Sequence, residues 1–381
     1  MPILRKIPIV HATTVHPWWD NRVSNKMVSG LAEAGYRIHF IINTYPLDKR
    51  PFFEHLSITT LERKTGIKER IIKNFLTYRK ASSIQPKGLF HFHDPEMIFV
   101  GAAMRLRGWK VIYDVHEDVY LDISQKPYLG KIAQRILPPI FRMTEQTIIK
   151  VFKFHLITAE KSYKKRYPKG VEILNYPKQA LSDDHNNRQD YQNINLLYTG
   201  VLVVDRGAIK FKEILQTSPN ITITIVGKCP EQLKQKILED CAPYRERLTI
   251  DTTPEGVSFD KIIKTYQQGN WAAGLAIFPD TEFYRDKELT KFFEYIQYSI
   301  PILASNFPTW LTLIEQQNIG LCINPDDISQ TLPSALQVFN DKKKWVQLRD
   351  NCRKVATQYS WESQQKKITT LYEKICSKKI S

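Results

Sequence analysis

The fold class of this chain is decided by a helix and strand with the sequence Lys287-Glu288-Leu289-Thr290-Lys291-Phe292-Phe293-Glu294-Tyr295-Ile296, followed by Ser299-Ile300-Pro301-Ile302-Leu303-Ala304-Ser305. The spacing over residues 290–298 predicts a helix, and the short apolar run at 301–304 predicts a buried strand. A second apolar run, at 273–278, precedes the helix. Strand, helix and strand in this order predict a βαβ unit, whose two strands are parallel.

The same alternation extends outward towards both ends of the chain. It predicts further strands at 7–12, 37–42, 88–93, 110–115, 156–158, 196–199, 221–226 and 248–251. Helical spacing predicts helices at 25–34, 97–106, 131–152, 209–216, 334–339 and 361–376. We expect a break at Pro138-Pro139 in the third of these, because proline lacks the backbone N–H donor.

The alternation predicts an α/β protein with two Rossmann-like domains that face a cleft. A polar stretch rich in Ser, Asp and Asn divides the alternation and predicts a linker. The expected boundaries are 1–177 for the N-terminal domain, 178–195 for the linker, 196–358 for the C-terminal domain and 359–381 for a C-terminal helix. Ligands of such sheets bind at the carboxyl ends of the strands, so we expect the site there.

Composition excludes several classes of protein. Hydrophobic residues make up 42% of the 381, which excludes a disordered chain. No window of about 18 residues is apolar enough to span a bilayer, and the N-terminal residues lack the features of a signal peptide. We therefore expect a cytoplasmic protein. The cysteines are odd in number and lack metal-ligand spacing, so we expect reduced thiols; they are Cys229, Cys241, Cys322, Cys352 and Cys376.

The formal net charge of +16 indicates an anionic partner. Nucleic acid is not expected, because no recognisable reader module is present. Residues 66–80 would place Ile67, Ile71, Phe75 and Tyr78 on one helical face and basic residues on the other, and residues 131–153 are similar. Such helices can lie in an anionic membrane interface, or they can pack on the sheet with their charges solvated. The first alternative predicts a peripheral protein on the inner face of the plasma membrane.

The opening helix also carries candidate binding residues. Its N-terminus, at Leu289 and Thr290, would present free backbone N–H groups, which suit a diphosphate. Lys291 could add a positive charge. Glu294 would lie one turn further along the same face, where a carboxylate can accept hydrogen bonds from the two hydroxyls of a ribose. The alternative is a surface helix with an ordinary Lys–Glu pair.

These residues resemble the signature of retaining glycosyltransferases with the GT-B fold, in the family 4 group of bacterial polysaccharide and lipopolysaccharide enzymes. The family pattern Pro-x-Lys-x-Phe-Glu-Tyr-Met is similar to Leu-Thr-Lys-Phe-Phe-Glu-Tyr-Ile here. The resemblance implies that Glu294 binds the donor ribose, that the 286–290 loop meets the sugar and diphosphate, and that the C-terminal helix crosses back to the N-terminal domain. Asp286 stands where the family more often has Glu, as the first of two acids.

Two more segments resemble the donor side of this family. Leu197-Tyr198-Thr199-Gly200 with Asp205-Arg206-Gly207 is similar to the glycine loop that opens the second domain, which implies that Arg206 neutralises the donor diphosphate. Val201 replaces the Arg that commonly follows the first glycine. Ile225-Val226-Gly227 matches the strand end that borders the nucleotide, so Gly227 is a candidate donor-binding residue.

Three polar motifs follow strands in the N-terminal half. His91-Phe92-His93-Asp94-Pro95-Glu96 and Tyr113-Asp114-Val115-His116-Glu117-Asp118 resemble the family's HxHD and YDxHE motifs, and imply roles for His116, His93 and Asp94 at the sugar or acceptor. His16-Pro17-Trp18-Trp19-Asp20-Asn21-Arg22 resembles an HPxxDxR loop, which implies that Asp20 and Arg22 lie at the cleft. Asp20 as a helix cap is the alternative. A metal site at His91, His93 and His116 is an alternative, but chemistry without a metal is usual in this fold class.

The sequence therefore predicts transfer of a sugar from a nucleotide-diphosphate sugar to a glycan or lipid-linked acceptor, with retention and without a cofactor or metal. The candidate catalytic residues are His116, Asp286 and Asp20. The candidate donor-binding residues are Glu294, Lys291, Thr290, Leu289, Arg206 and Gly227, and those on the acceptor or sugar side are His93, Asp94 and Arg22. A nucleotide-sugar epimerase and a non-catalytic binding protein on the same fold remain alternatives.

Overall fold

The computed structural model describes residues 7–18, 20–46, 53–61, 66–116, 130–180 and 187–377. The chain forms two compact units. The first comprises Met1–Asn175 and Gln364–Ser381, and the second comprises Tyr176–Ser363. Most of the C-terminal helix thus belongs to the N-terminal unit, as predicted. Linker residues 181–186 and the motif residues Trp19, Glu117 and Asp118 lie outside the described ranges.

The first unit is built on a seven-stranded parallel sheet with the order β3-β2-β1-β4-β5-β6-β7. The strands are short and apolar, and those in the middle are buried on both faces, as parallel sheets require. They are β1 Ile9–Ala12, β2 Ile38–Ile42, β3 Leu56–Thr60, β4 Leu89–Phe92, β5 Lys110–Val115, β6 His155–Thr158 and β7 Val171–Glu172.

The second unit is built on a six-stranded parallel sheet with the order β10-β9-β8-β11-β12-β13. The predicted class, α/β with two Rossmann-like domains, is confirmed by the two sheets. The strands of this unit are β8 Ile194–Val201, β9 Ile221–Lys228, β10 Leu248–Thr253, β11 Ala273–Ala276, β12 Ile302–Ser305 and β13 Gly320–Ile323.

Helices join the strands of both sheets. Those of the first unit are α1 Ser29–Glu33, which continues a π-helix at Asn21–Val28, α2 Ile67–Ser82, α3 Ile98–Leu106 and α4 Lys131–Val151. Those of the second are α5 Phe211–Thr217, α6 Glu231–Asp240, α7 Phe259–Gln267, α8 Glu282–Arg285, α9 Thr290–Gln297, α10 Pro308–Ile314, α11 Ile328–Asn340 and α12 Lys342–Ala356. The last helix, α13, is Trp361–Ser377. Across the described ranges, the model contains no helix with the length and apolar character that a membrane span requires.

The predicted break at Pro138-Pro139 is wrong, because α4 runs through both prolines. Each proline removes one helical hydrogen bond but leaves the others intact. Pro138 is buried, and beyond it Ile148 and Ile149 pack against the hydrophobic core of the unit. We attribute the continuity of the helix to this packing.

The strand order of each sheet reverses once, and these two points position the polar residues. In the first sheet the chain runs outward from β1 to β3 and then returns to the other side of β1 as β4. In the second it runs from β8 to β10 and returns beside β8 as β11. Crevices outside the carboxyl ends of strands at such switch points are where open α/β sheets bind ligands. The ligand-binding chemistry of each unit is therefore expected after β1 and β4, and after β8 and β11.

Candidate functional site

In the second unit, the side chain of Lys291 is buried in the first turn of α9. It is 8% exposed, and its Nζ lies 3.4 Å from the centroid of the Tyr198 ring, at the end of β8. The Nζ has no hydrogen-bond partner among the described residues. Burial, followed by the positive charge of Arg206, holds the pKa of Lys291 well below its usual range, and Glu294 only partly opposes this. The structure thus places a desolvated cation beside a second cation, which favours binding of an anion.

Glu294 on α9 is held by a tyrosine on α7. The hydroxyl of Tyr266 donates to Glu294 Oε2 over 2.8 Å and therefore accepts from the hydroxyl of Thr199, also at 2.8 Å. Burial, followed by the charge of Glu294, raises the pKa of Tyr266 well above its usual value. The carboxylate is consequently fixed in orientation, and it lies one helical turn beyond Lys291 on α9.

Two glycine positions let the backbone of the switch point pack closely. Gly227, at the end of β9, has φ +152°, and a Cβ there would lie 2.0 Å from the carbonyl oxygen of Gly200. Gly207 has φ +83°, and a Cβ there would lie 1.9 Å from the carbonyl oxygen of Ile277. Only glycine fits either position. Next to Gly207, Arg206 donates from Nε to the hydroxyl of Tyr284.

The remaining predicted donor residues lie around the start of α9. Leu289 is the N-cap residue, and its side chain does not cap the helix. Thr290 is exposed. Asp286 is also exposed, one residue after the end of α8. The structure thus brings the charges of Lys291, Arg206 and Glu294 close enough to interact, and leaves Asp286 exposed at the end of α8.

In the first unit, the carboxylate of Asp114 on β5 is the centre of a buried polar cluster. Arg22 donates to it twice, from Nε at 3.0 Å and from Nη2 at 2.7 Å, and His93 Nδ1 lies 3.0 Å from Oδ2. Burial alone would raise the pKa of Asp114, but Arg22, followed by hydrogen bonds from His116 and His93, holds it well below its usual range. Asp114 is therefore an ionised carboxylate inside the unit, paired with Arg22.

His116 connects this cluster to the loop after β1. Its Nδ1 lies 3.4 Å from Asp114 Oδ2, and its Nε2 lies 2.7 Å from Nε2 of His16. His16 Nδ1 in turn lies 3.4 Å from Asp20. Asp20 is the N-cap residue of the π-helix, and accepts from the backbone N–H of Val23 at 2.6 Å. The capping alternative is thus what the geometry shows for Asp20, together with a contact to His16.

Asp94 is buried and engaged with the loop after β1. It accepts from the hydroxyls of Thr13 and Thr14 and from the backbone N–H groups of Thr14 and Val15. A carboxylate with this many donors orders the loop that carries His16. The side chain of Arg22 is likewise occupied by Asp114. Both residues lie at the predicted switch point, but their side chains make internal hydrogen bonds.

Three fully buried histidines extend the cluster to the C-terminal helix. His11 pairs with His91 in register on adjacent strands, and His93 follows two residues later on the same face. His11 Nδ1 lies 3.0 Å from His93 Nε2, and the hydroxyl of Tyr372 lies 2.6 Å from His91 Nδ1 and 3.2 Å from His11 Nε2. Burial is the largest cause that lowers the pKa of all three, so each ring is neutral at pH 7.

Two groups in this cluster have the ligand types of a metal site. They are His11, His91 and His93, and His93, Asp114 and His116, and the ligand atoms of each group lie within 4.8 Å of one another. Hydrogen bonds join His11 to His93 and His93 to Asp114, whereas His91 Nε2 and His116 Nδ1 are buried without a hydrogen-bond partner among the described residues. The geometry therefore permits a metal ion without requiring one.

Comparison with known proteins gives a fold but no sequence family. No protein-family model and no curated protein matches the chain. Among solved structures, sucrose-phosphate synthase from Thermosynechococcus elongatus aligns with a TM-score of 0.71 at 16% identity, over 97% of this chain and 99% of that one. A glycosyltransferase from Rickettsia africae aligns with a TM-score of 0.72 at 11% identity, over 98% and 99%. Anabaena HepE, in complex with UDP and glucose, aligns with a TM-score of 0.65 at 12% identity, over 96% and 99%.

The chain has the GT-B fold. This conclusion rests on alignments that extend over nearly the whole chain together with the two parallel sheets. The predicted fold class and the predicted resemblance to GT-B proteins are thereby confirmed. Membership of family 4 remains a prediction.

Within the GT-B fold, sequence reasoning missed several residues of both clusters. Asp114 was quoted within a motif but not selected, although a charged residue in an otherwise apolar strand is a signal for a buried ion pair. His11 lies on β1 and His16 in the loop after it, and both could have been grouped with His93 by the same reasoning. Tyr266, Tyr198 and Tyr372 carried no local signal, because their partners are distant in sequence.

Proposed function

We propose that this protein is a glycosyltransferase that uses a nucleoside-diphosphate sugar as donor. The observation that carries the proposal is Lys291, a buried ammonium group beside Arg206 at a switch point of the second sheet, with no hydrogen-bond partner in the described part of the chain. Leaving such a group unpaired costs free energy, which a bound diphosphate would recover. The GT-B neighbour HepE, solved in complex with UDP and with UDP-glucose, supports this donor class.

The proposed role of these residues is to stabilise the leaving group. Breaking the bond between the sugar and the diphosphate builds negative charge on the diphosphate oxygens. Lys291, Arg206 and the uncapped N-terminus of α9 would oppose that charge where the surroundings are dry and the interaction is strong. Because these groups supply positive charge, we propose that the reaction needs no metal ion.

Glu294 is proposed to select the nucleoside part of the donor. An ionised carboxylate can accept hydrogen bonds from both hydroxyls of a ribose. The hydroxyl of Tyr266 occupies Oε2 over 2.8 Å and fixes the orientation of the group. The discrimination between ribose and deoxyribose is then a direct consequence, because a 2′-deoxy donor leaves one carboxylate interaction unmade.

We assign the sugar and acceptor side to the first unit, with His116 as the residue that meets the substrate. His116 is the member of the Asp114 cluster that is not fully buried. His93, Asp94 and Arg22 hold it indirectly, and Asp286 and Asp20 are kept as proposals from the resemblance. Retention of anomeric configuration and a glycan or lipid-linked acceptor in cell-surface polysaccharide synthesis are proposed on the same ground.

The donor proposal is tested by calorimetry on the purified full chain with UDP, GDP and ADP, each with and without magnesium. We expect one nucleoside diphosphate to bind selectively and without magnesium. Glu294→Ala should weaken binding by about tenfold or more, the size of one charged hydrogen-bonding group. Glu213→Ala is the matched control, because Glu213 lies on the same unit in an exposed pair with Lys210.

The turnover proposal is tested by incubating the protein with the matching nucleotide sugars. Release of the nucleoside diphosphate that depends on added acceptor supports transfer. Conversion of the sugar without an acceptor would instead indicate the epimerase, and binding without any conversion would indicate a non-catalytic protein. Equal affinity of wild type and Glu294→Ala for every nucleotide would refute the assigned site.

A further inference from the structure

The outer surface of three helices in the first unit is unusually apolar. Nine of the fourteen large hydrophobic side chains that are exposed in the described ranges lie on α2, α3 and α4. They are Ile71, Phe75, Phe99, Leu106, Ile136, Leu137, Ile140, Met143 and Val151. Several are more than half exposed, with Leu106 at 78%, Ile71 at 66%, Met143 at 65% and Phe99 at 64%. Contiguous apolar surface of this kind marks an interaction site. We name these nine residues the apolar face.

The three helices form one layer, so the nine residues belong to one surface. The backbone carbonyl of Glu96, just before α3, accepts from Asn74 on α2, and the Tyr78 hydroxyl accepts from Arg107 at the other end of α3. Arg105 on α3 donates to the carbonyl of Phe152 at the end of α4. The inner sides of all three helices pack against the same buried core. Their outer sides therefore face away from the sheet together.

The orientation of α2 excludes the simpler reading of its apolar residues. Lys73, Thr77 and Ala81 are the buried residues of this helix, whereas Ile71 and Phe75 are exposed. A helix that used its apolar stripe only for packing would have the opposite arrangement. The predicted amphipathic stretch therefore presents Ile71 and Phe75 to whatever lies outside the unit.

The fully exposed charges of two of these helices have one sign. Every exposed charged side chain described on α2 and α4 is basic, and these are Lys68, Arg70, Arg79, Lys80, Arg135, Arg142 and Lys150. The acids nearby are less exposed: Glu96 pairs with Arg70, Glu69 on α2 is half-buried, and the buried Glu145 interacts with Arg142. On α2, Lys68 and Arg79 flank Ile71 and Phe75 along one helical stripe. Apolar side chains surrounded by cations are complementary to a bilayer with anionic headgroups, which takes up both kinds of group.

We propose that the apolar face and its basic residues dock the first unit on an anionic lipid bilayer. The helices would lie in the plane of the interface, with apolar side chains among the acyl chains and the cations at the headgroups. Docking would bring the enzyme to lipid-linked glycan acceptors on the cytoplasmic face of a membrane, and this consequence rests on the proposed function. The binding to a bilayer itself is argued only from the exposed residues of the apolar face.

Vesicle sedimentation with the full chain tests the docking. We expect the protein to bind vesicles of phosphatidylcholine with 30% phosphatidylglycerol at least tenfold more strongly than vesicles of phosphatidylcholine alone, with the difference reduced in high salt. Phe75→Ser, Phe99→Ser and Met143→Ser combined should reduce binding about tenfold or more. Arg79→Gln, Arg135→Gln and Arg142→Gln combined should reduce binding and abolish the preference for the anionic lipid.

The matched control combines Phe259→Ser and Lys236→Gln, which remove an exposed aromatic and an exposed cation from the second unit. This control should bind vesicles as wild type does. All the substituted residues are exposed, so unchanged unfolding curves would show that the variants fold.

Equal binding of wild type and both surface variants would overturn the proposal, as would no binding to either vesicle. Self-association in solution that the apolar variant abolishes, without vesicle binding, would instead assign the apolar face to a second copy of the chain. Calorimetry with UDP in the absence of lipid reads out the donor site separately. Failure of the docking therefore leaves the proposed function standing, and failure of nucleotide binding leaves the docking standing.

Discussion

The two units place charged groups at their switch points in opposite ways. In the first unit, the buried ionised group Asp114 is paired with Arg22 and contacted by two histidines. In the second, the buried Lys291 has no hydrogen-bond partner in the described ranges, and its nearest cationic neighbour lowers its pKa. Opposite charges that pair with each other stabilise a framework, even though Arg22 Nη1 has no hydrogen-bond partner among the described residues. A buried charge without such a partner stores free energy that a ligand can release. On this comparison, the second unit is where the proposed diphosphate would bind.

The largest expected effect is the loss of the framework charge in the first unit. Asp114→Asn leaves Arg22 as an uncompensated buried cation and removes the acceptor of two imidazoles, so it should destabilise the unit by about 3–5 kcal/mol. Chemical denaturation measures the change. Asp251→Asn, which removes an exposed pair with Lys261, is the control and should change stability by less than about 1 kcal/mol. Equal small effects would mean that Asp114 is not the centre of its cluster.

The next effect separates two of the buried lysines, Lys26 and Lys291. Lys26 in the first unit donates to Asn175 Oδ1 at 2.8 Å, whereas Lys291 makes no hydrogen bond. Lys291→Met should leave stability unchanged or raised, and weaken nucleoside diphosphate binding by about 100-fold, as expected for a charged partner of the diphosphate.

Lys26→Met should do the reverse, with lower stability and unchanged nucleotide affinity. Calorimetry and denaturation on both variants make the measurement. A large loss of stability in Lys291→Met would show that the second unit uses this lysine for its framework as well, and the comparison would fail.

A smaller effect concerns the acid side of the pH range. Burial alone would raise the pKa of Asp20. Hydrogen bonds from His16 and the Val23 N–H outweigh burial and lower this pKa from 3.8 to about 2. The stabilisation is present above the unfolded pKa and is lost as the pH falls from about 4 to about 2, and it amounts to about 2 kcal/mol. Unfolding free energies of wild type and Asp20→Asn should therefore converge between pH 5 and pH 2. Parallel curves would remove the framework role of Asp20.

The smallest expected effect is the uptake of a proton by Lys291 when a diphosphate binds. The pKa of Lys291 is lowered in the free protein, and a bound diphosphate should raise it, so binding takes up a fraction of a proton at a pH between the two pKa values. Affinity should then fall as the pH rises through the lowered pKa. Calorimetry in two buffers of different ionisation enthalpy measures the uptake. Lys291→Met should show none, and uptake that persists in that variant would point to another group.

Local patterns predicted most of the fold. Period-2 and buried apolar runs located the central strands, and the βαβ alternation predicted parallel sheets that the structure confirms. Strands β3, β7 and β13 and helices α6, α7, α8, α10 and α12 were not predicted, because they are short or lie in polar or mixed stretches and depend on tertiary packing. The break predicted at the two prolines of α4 was wrong for the same reason, since packing on the core outweighed the lost hydrogen bonds.

The candidate sites were predictable only in part. Lys291, Glu294 and Gly227 could be selected because their spacing on a helix and a strand end follows from sequence alone. The partners that give these residues their chemistry could not. Tyr198 beside Lys291 and Tyr266 on Glu294 depend on which strands become neighbours. The same holds for Asp20 and Arg22, whose contacts with His16 and Asp114 show framework roles that the motif did not distinguish from substrate contacts.

The hydroxyl that links His91 and His11 is supplied by Tyr372, and 361 residues separate Tyr372 from His11. The ribosome synthesises the histidines near the start of translation and the tyrosine near its end. At ordinary elongation rates of 5–20 residues per second, the tyrosine follows about 20 to 70 seconds later. During that interval the first unit holds two neutral imidazoles without their phenol partner. The N-terminal unit is the first to be made and the last to be finished, so its maturation depends on completion of the chain that follows it.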